Sequence, residues 1–347
     1  MHPRTDLSLL LESLHQLSHT PYFNRQIEPH TRALINTIQH VMTTSPPYDE
    51  EIVREFAERA WTCHRYLQGS TTKESPYEIE FCLRHAIMDW FAEPCLVTTS
   101  LTDEKDFHLR PGDPWQFVKT ILDRHLEKLP DGRLIFIGVP RLYKHMPLFC
   151  SPLYHELGHF VDLSRNVVDS TMLTAPVPGA SEGVNNIILL HRREHFADLF
   201  AACYVGSAII DSLNAVMPAG GLTPTHPPTS NRIELIRAFL AGEDTDEITM
   251  FQAALKQLGL PELRVRFSTP TIEEAFDDLR PAVLSGAGEL HGIMQAGWSY
   301  LAKARDGAGP PWTRSAQPLE IVRIVNDLTE KSIRNVSVRQ LWSKAHS

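Results

Sequence analysis

Two histidines spaced by one turn of helix are the strongest chemical signal in the chain. They belong to the run His155-Glu156-Leu157-Gly158-His159. On an α-helix, residues four apart lie on the same face, so both imidazoles can reach one metal ion. Glu156, between them, can address a water molecule bound to that ion. The spacing predicts a zinc site, and it requires a third protein ligand from elsewhere in the chain.

The run Glu194-His195-Phe196-Ala197-Asp198 offers that third ligand. Its two acids are also four residues apart, so they share a face of a predicted helix. Two histidines and Glu194 would hold one Zn²⁺ and leave a fourth position open for water. Asp198, one turn further on, would accept a hydrogen bond from the far nitrogen of His155. The alternative interpretation of the two acids is a polar helix face that binds nothing.

A second pattern competes for Glu194. The run His191-Arg192-Arg193-Glu194-His195 matches the inverted arrangement His-x-x-Glu-His, in which both histidines bind the metal and the glutamate is the base. That interpretation leaves the histidines of the first run unexplained on an apolar helix. The direct pattern uses all of them, so we favour it. His191, one turn before Glu194, then becomes a candidate for the lining of the cleft.

Three motifs in one order give the chain a resemblance to a known family. It resembles the branch of the gluzincin metallopeptidases that contains the membrane CAAX prenyl proteases and the bacterial heat-shock membrane protease. The resemblance covers roughly residues 150–240, and the third motif singles out this branch. The motifs are, in order, His-Glu-Leu-Gly-His from His155, Glu-x-x-Ala-Asp from Glu194, and Thr225-His226-Pro227-Pro228 followed by Arg232.

The resemblance implies a role for each of these residues. The ligands of one zinc ion would be His155, His159 and Glu194. Glu156 would be the general base on a zinc-bound water. His226 and Arg232 would lie at the cleft, with His226 placed to stabilise the developing oxyanion. The alternative for the third motif is a rigid loop over 225–230 whose His226 only faces solvent.

The activity that the resemblance implies is that of a zinc metalloendopeptidase, which hydrolyses peptide bonds of a protein or peptide substrate. Two alternatives stay open. One is a catalytically silent zinc-binding scaffold that contacts a partner protein, although every residue of the first motif is intact. The other is a regulatory peptidase that cuts one partner protein only. The sequence leaves the substrate and the oligomeric state undetermined.

The composition is that of an ordinary folded chain. Of its 347 residues, 42% are hydrophobic and 22% are charged, far from the low hydrophobicity of disordered segments. The formal net charge of -9 is spread along the chain and argues against nucleic acid as a partner. Five widely spaced cysteines, without a Cys-x-x-Cys pair, argue against a disulfide scaffold.

The distribution of apolar residues bears on localisation. No apolar run approaches the roughly 20 residues that a membrane-spanning helix needs, and the N-terminal stretch lacks the apolar centre of a signal peptide. The sequence therefore predicts a cytoplasmic protein without membrane insertion. Because the relatives named above are embedded in membranes, cleavage of membrane proteins does not carry over from them.

The elements that must carry the motifs are predicted to be mostly helices. Apolar positions at helical spacing predict a series of helices through residues 5–128, and the short apolar run 133–139 predicts a strand. Asn231 is the predicted N-cap of a helix that stops near Gly242. Around the motifs we expect a helix over 152–163, a loop over 164–181, a helix over 183–213 and a loop over 217–230. Further helices are expected over 272–280, 288–304 and 318–330.

The fold class that follows is mainly α with a small β element. The resemblance implies that it contains a zincin-like metallopeptidase core flanked by additional helices, all packed as one compact unit. The expected regions are an N-terminal helical region (1–130), the zincin-like catalytic core (131–245) and a C-terminal helical region (246–347).

Overall fold

The computed structural model describes residues 2–74, 77–110, 114–123, 132–216 and 221–345. In these ranges the chain is mainly helical with one small three-stranded sheet, which confirms the expected fold class at that level. The strands are β1 (Cys95–Thr102), β2 (His108–Leu109) and β3 (Arg133–Pro140). The helices are α1 (Pro3–Ser18), α2 (Glu28–Thr43), α3 (Glu50–Gly69), α4 (Tyr77–Ile87), α5 (Trp115–Asp123), α6 (Pro152–Arg165), α7 (Val167–Thr174), α8 (Glu182–Val205), α9 (Ala208–Val216), α10 (Thr229–Ala241), α11 (Asp246–Gln257), α12 (Glu273–Asp277), α13 (Ala287–Arg305), α14 (Pro311–Ser315) and α15 (Pro318–Ala345).

The chain divides into two compact units. The first unit consists of Met1–Glu80 and Phe91–Arg141, and the second of Phe81–Trp90 and Leu142–Ser347. These units differ from the three regions expected from the sequence. The strand β3 belongs to the first unit, because it pairs with β1 along its whole length. The two regions divided at residue 245 form a single unit, since helices from both contribute to it.

The first unit is held together by apolar faces of its helices. Leu7, Leu10 and Leu14 recur at helical spacing on α1 and are fully buried. They join buried residues of α2, α3 and α5 in one core, among them Phe56. The last residue of α3, Gly69, lies so close to the carbonyl of Thr99 in β1 that a side chain would collide with it. The helix can therefore end directly against the sheet.

The sheet of the first unit has the order β1-β3-β2, with β1 parallel and β2 antiparallel to β3. The sequence predicted β3 but missed β1. It lies within the range 5–128 that was expected to be helical, and its polar residues Thr98 and Thr99 are buried. Their hydroxyls donate to the carbonyls of Ile135 at 2.8 Å and Gly69 at 3.1 Å, which removes the cost of burying them.

The second unit contains all the residues of the three motifs, carried by α6, α8 and the segment that leads into α10. The expected helix over 152–163 is confirmed as α6. It ends because Asn166 adopts a left-handed conformation, with a φ of 53°. The C-terminal helices belong to the same unit: the indole of Trp298 donates to the carbonyl of Leu148, just before α6, at 3.0 Å.

Three expectations about this unit were wrong. The segment 164–181 contains the helix α7, because Asp162 accepts from the amide of Val168 at 2.7 Å and starts a new helical turn. The expected helix over 183–213 is two helices, α8 and α9, separated at Gly206, whose φ is 57°. Asn231 is inside α10 instead of capping it, since Pro228 is the cap residue.

Other predicted bounds hold in part. The end of α10 at a left-handed Gly242 is confirmed. The expected loop over 217–230 is confirmed for residues 221–228, whereas 217–220 lie outside the described residues. In the C-terminal third, α11 was missed and α15 is much longer than the expected 318–330. Among the described helices, none combines the length and the apolar character needed to cross a membrane.

Candidate metal centre

The metal motifs lie where α6 and α8 pack against each other. Leu153, Leu157 and Val161 bury one side of α6. Gly158 makes the close approach: a side-chain carbon built on it would lie 2.8 Å from the Cα of Ala197 in α8. A glycine inside a helix costs stability, so its position here has a structural reason. The absence of a side chain brings the motif face of α6 directly against α8.

The ligand atoms of three residues converge at this contact. His155 Nε2 lies 3.4 Å from Glu194 Oε2, and His159 Nε2 lies 3.3 Å from Glu194 Oε1. The two imidazole rings stand edge to face, with centroids 4.6 Å apart. His155 and Glu194 are buried, and His159 is half-buried. The structure therefore brings together all three residues predicted as ligands, on two helices.

The spacing of these atoms fits a metal ion. Zinc bound by nitrogen and oxygen at 2.0–2.1 Å in a tetrahedral arrangement has ligand atoms about 3.3 Å apart. Each histidine nitrogen lies at about that distance from one of the two oxygens of Glu194, at 3.4 and 3.3 Å, and one ligand atom from each residue lies within 4.8 Å of the others. Two imidazoles and one carboxylate also suit zinc by donor type. The group of His155, His159 and Glu194 can hold a metal ion.

A buried carboxylate orients the first histidine. Asp198 Oδ1 lies 2.8 Å from His155 Nδ1 and is completely buried. With the proton on Nδ1 donated to Asp198, the lone pair of Nε2 is directed at the metal position. This is the hydrogen bond that the spacing of the motifs predicts. The ring of His155 is thereby held in the orientation that ligation requires.

Arg232 completes this network from α10. Its guanidinium donates from Nε to Asp198 Oδ2 at 2.7 Å and from Nη2 to Asp198 Oδ1 at 2.8 Å, a bidentate pair. Its Nη1 also lies 3.5 Å from Glu194 Oε2. The side chain is buried, so Arg232 stands behind the ligands and does not line an open cleft as the resemblance implied. It touches a ligand and the residue that orients another.

The electrostatics of this network favour its charged forms. Burial alone would raise the pKa of Glu194, but the hydrogen bonds and charges of His155 and His159 hold it far below its ordinary value. Burial would also raise the pKa of Asp198, and the charge of Arg232 instead lowers it to about 2. Burial opposes the charge of His155, yet Asp198 and Glu194 raise its pKa to about 10, so the metal-free imidazole is protonated and a bound metal would displace the proton on Nε2. Both acids therefore stay ionised at neutral pH, as ligation requires.

His226 lies beside this group but is open to solvent. Its Nε2 is 3.7 Å from Glu194 Oε1, while its side chain is half exposed. Its Nδ1 shares a hydrogen bond with the hydroxyl of Thr225 at 2.8 Å, and its amide donates to Thr223 Oγ1 at 2.9 Å. The sequence allowed His226 either to lie at the cleft or to face solvent. In the structure it faces solvent at the edge of the metal group.

His191 holds the loop that carries His226. Its Nε2 lies 2.8 Å from the carbonyl oxygen of Thr223, which ties the loop to α8. Sequence reasoning placed His191 at the cleft without this role. The signal that could have found it is the spacing of His191, Glu194 and Asp198, which puts all three on one face of α8.

The inverted pattern is not assembled in this structure. Neither His191 nor His195 belongs to the metal-binding group found among the described residues. His195 points elsewhere on α8: its Nε2 is buried without a hydrogen-bond partner in the described part of the chain. Burial lowers the pKa of His195, so it stays neutral. The geometry favours the direct pattern, with Glu194 as a ligand.

Glu156, the predicted base, follows the first ligand on α6 and is half-buried. Its charge is close enough to contribute to the raised pKa of Arg232, after burial and the larger effects of Asp198 and Glu194. Cys150, just before α6, is completely buried, and its thiol lies 3.4 Å from the carbonyl of Tyr143. Burial raises the pKa of this thiol, so Cys150 is a packed residue and not a nucleophile.

We compared the chain with known protein families, curated proteins and solved structures. No protein-family model, curated protein or solved structure matches the chain. The resemblance to the gluzincin metallopeptidases stays a prediction that depends on the three motifs and on the arrangement of their side chains.

Proposed function

We propose that this protein is a zinc-dependent metallopeptidase that hydrolyses peptide bonds of a protein or peptide substrate. The observation that carries the proposal is the group of His155, His159 and Glu194, whose ligand atoms lie within 4.8 Å of one another, with Glu156 next to His155 on the same helix. A metal site with three protein ligands leaves a position open for water, which is the arrangement of catalytic and not of structural zinc sites.

Zinc in this group would supply Lewis acidity, which lowers the pKa of a water to about 7 and polarises a carbonyl. Glu156 would take the proton of the attacking water and deliver it to the leaving amine. The water oxygen bonds to the carbonyl carbon, the C–N bond breaks, and the products are a carboxylic acid and an amine. His226, at the edge of the site, would donate a hydrogen bond to the carbonyl oxygen as it gains charge.

Two further residues, Asp198 and Arg232, orient the metal ligands and take no part in the reaction. Asp198 holds His155 by a 2.8 Å hydrogen bond, and Arg232 holds Asp198 by two more. A ligand whose second nitrogen is fixed by a carboxylate keeps one tautomer and one ring orientation. Because these partners are buried, their interactions are weakly screened by solvent. Asp198 and Arg232 are therefore positioning residues for the metal ligands.

The decisive experiment compares Glu156→Gln and His159→Gln with the wild-type protein. Glu156→Gln should retain one zinc per chain and lose peptide hydrolysis by about a hundredfold or more, because it removes the base and keeps the ligands. His159→Gln should lose the metal. Zinc content is measured by elemental analysis, and hydrolysis by the appearance of new protein N-termini in a cell extract. An active Glu156→Gln protein would exclude this mechanism.

The extent of cleavage separates this proposal from its alternatives. Many new N-termini indicate a broad peptidase, and a single cleaved protein indicates a regulatory one. If neither the wild-type nor the Glu156→Gln protein produces N-termini beyond those of untreated extract while both bind zinc, the protein is a zinc-binding scaffold and the proposal is wrong.

A further inference from the structure

Several large apolar side chains near the metal group are exposed to solvent. We name four of them the apolar strip: Leu163 on α6 (45% exposed), Val184 and Ile187 on α8 (46% and 37%), and Leu222 in the loop before α10 (71%). Single exposed apolar residues are common and need no explanation. The exposure of these four residues needs an explanation because all of them lie beside the metal ligands.

The strip continues the helix faces that carry the metal ligands. On α8, Val184, Ile187, His191 and Glu194 follow one another at spacings of three and four residues, so they lie along one face. On α6, Leu163 comes four residues after His159 and lies on the ligand face in the same way. Both helices therefore extend the metal group toward solvent with apolar side chains.

Leu222 lies in the loop before α10 and not on α6 or α8. The bond between His191 Nε2 and the carbonyl of Thr223 fastens the loop to α8 within the face just described. Leu222 precedes Thr223 directly, so its backbone is held next to that face. The strip is thus formed from three separate segments around the metal group. Three segments that present apolar residues to one site indicate a surface for a ligand.

The charges around the strip restrict what can bind there. No Lys or Arg occurs between Arg165 and Arg192, a stretch that includes α7 and the first turns of α8. A surface that docks on anionic lipid carries clusters of such residues, because each adds attraction to the headgroups. The strip therefore lacks the chemistry of a lipid-binding surface. A polypeptide with apolar side chains and few charges suits it better.

We infer that the apolar strip binds apolar side chains of an extended polypeptide next to the bond that is cut. This rests on the proposed function and names its substrate class: unfolded or loosely folded chains that expose residues such as Leu and Val. A backbone within a helix or sheet has its amides and carbonyls already hydrogen-bonded, so only an extended segment can present a peptide bond to the metal group. The strip would select such segments by hydrophobic contact.

The test uses two labelled peptides of equal length and the zinc-loaded Glu156→Gln protein, which binds without cutting. One peptide carries Leu and Val at several positions, and the other has Ser at those positions. The strip variant is Val184→Gln with Ile187→Gln. Its matched control is Val338→Gln with Leu341→Gln, an exposed pair with the same spacing on α15. Binding is measured by fluorescence anisotropy, and unfolding temperatures verify that both variants fold.

The apolar peptide should bind at least about tenfold more tightly than the Ser peptide, and the strip variant should lose about tenfold in affinity for it. The control pair should bind as the parent protein does. In the background with Glu156 intact, kcat/KM for the apolar peptide should fall by a similar factor in the strip variant only. Equal binding by the strip variant and the control would overturn the inference.

Two further measurements test whether the apolar strip instead binds a membrane or a second copy of the chain. If the parent protein sediments with neutral phosphatidylcholine vesicles and the strip variant does not, the strip binds a membrane and the inference is wrong. If the parent is a dimer by sedimentation equilibrium and the strip variant is a monomer, the strip is a contact between copies and the inference is equally wrong. Strip-dependent binding of the apolar peptide without cleavage by the intact protein supports the strip and rejects the proposed function.

Discussion

The two halves of α8 reverse the usual distribution of residues. The first half, residues 182–193, is exposed or half-exposed although it contains Val184, Ile187 and other apolar residues. The second half, from Glu194, is almost entirely buried although it contains two acids. Apolar side chains in water and carboxylates in the interior are both unfavourable for folding. Both features occur in one helix, on either side of Glu194 in the metal-binding group.

The buried half stays stable because its charges have partners. Asp198 is matched by Arg232 and His155, and Glu194 by the two ligand histidines. In the exposed half, Arg193 pairs with Asp162 and Asp169. The exposed apolar side chains of this half carry only the smaller cost of hydrated apolar surface. The comparison therefore predicts that changes in the buried half affect stability strongly.

The largest effect is expected from Asp198→Ala. The change leaves the guanidinium of Arg232 buried without its bidentate partner, which should lower the free energy of unfolding by about 3–5 kcal/mol. Asp327→Ala is the control: it removes a 2.6 Å pair with Lys331 in which both side chains are half exposed, and it should cost less than about 1 kcal/mol. Urea unfolding of metal-free protein measures both, and equal losses would mean that burial of the network contributes nothing.

A smaller effect is expected from Gly158→Ala. Its new methyl group meets the Cα of Ala197, so α6 must move away from α8 at a cost of about 1–3 kcal/mol. The same movement should weaken zinc binding, because two ligands are on one helix and the third on the other. Gly183→Ala, in the exposed half of α8, meets no atom and should leave stability unchanged or raise it by up to about 1 kcal/mol. Chelator competition and urea unfolding distinguish the two variants.

The third prediction concerns a buried titratable group without a charged partner. His291 packs on Tyr204 of the buried half of α8 and pairs with the hydroxyl of Tyr154 at 2.9 Å. Burial, with a smaller contribution from His85, lowers its pKa to about 3. Below pH 6.5 the unfolded chain binds a proton that the folded chain does not, so stability falls with falling pH, by about 2 kcal/mol at pH 5.

His291→Asn isolates this effect, because the side-chain amide of asparagine has no titratable proton and can bond to the hydroxyl of Tyr154 either as acceptor or as donor. The variant should lose less stability than the wild type between pH 7 and pH 5, measured by urea unfolding at each pH. Parallel pH curves for the two proteins would show that His291 is protonated in the folded state.

The sequence predicted the residues of the metal group because they occur in pairs that are close together in the chain. His155 and His159 are one turn apart, as are Glu194 and Asp198, and helix geometry alone puts each pair on one face. The order of the motifs then suggested which residues meet. What periodicity could not supply is the partner of a polar residue. Thr98 and Thr99 are buried in a strand only because carbonyls from other segments accept their hydroxyls.

The same limit explains the other differences. The resemblance placed Arg232 at the cleft, but its guanidinium is buried in bidentate contact with the carboxylate of Asp198, which is a property of the tertiary structure. The helix α7 was missed because the amide of Val168, in its first turn, donates to Asp162 of the preceding helix α6. The carbonyls of Thr171 and Ala175 also accept from Arg192 of α8, and no local pattern shows this.

The attachment of the loop at Thr223 has a consequence for the entropy of the site. The carbonyl of Thr223 is held by His191, and α10 begins at Thr229, so both ends of the segment that contains His226 are anchored. Pro227 and Pro228 restrict the backbone between these anchors. The chain therefore has few conformations to lose when the His226 imidazole becomes ordered against a ligand. An exposed side chain is in this way prepared for binding without being buried.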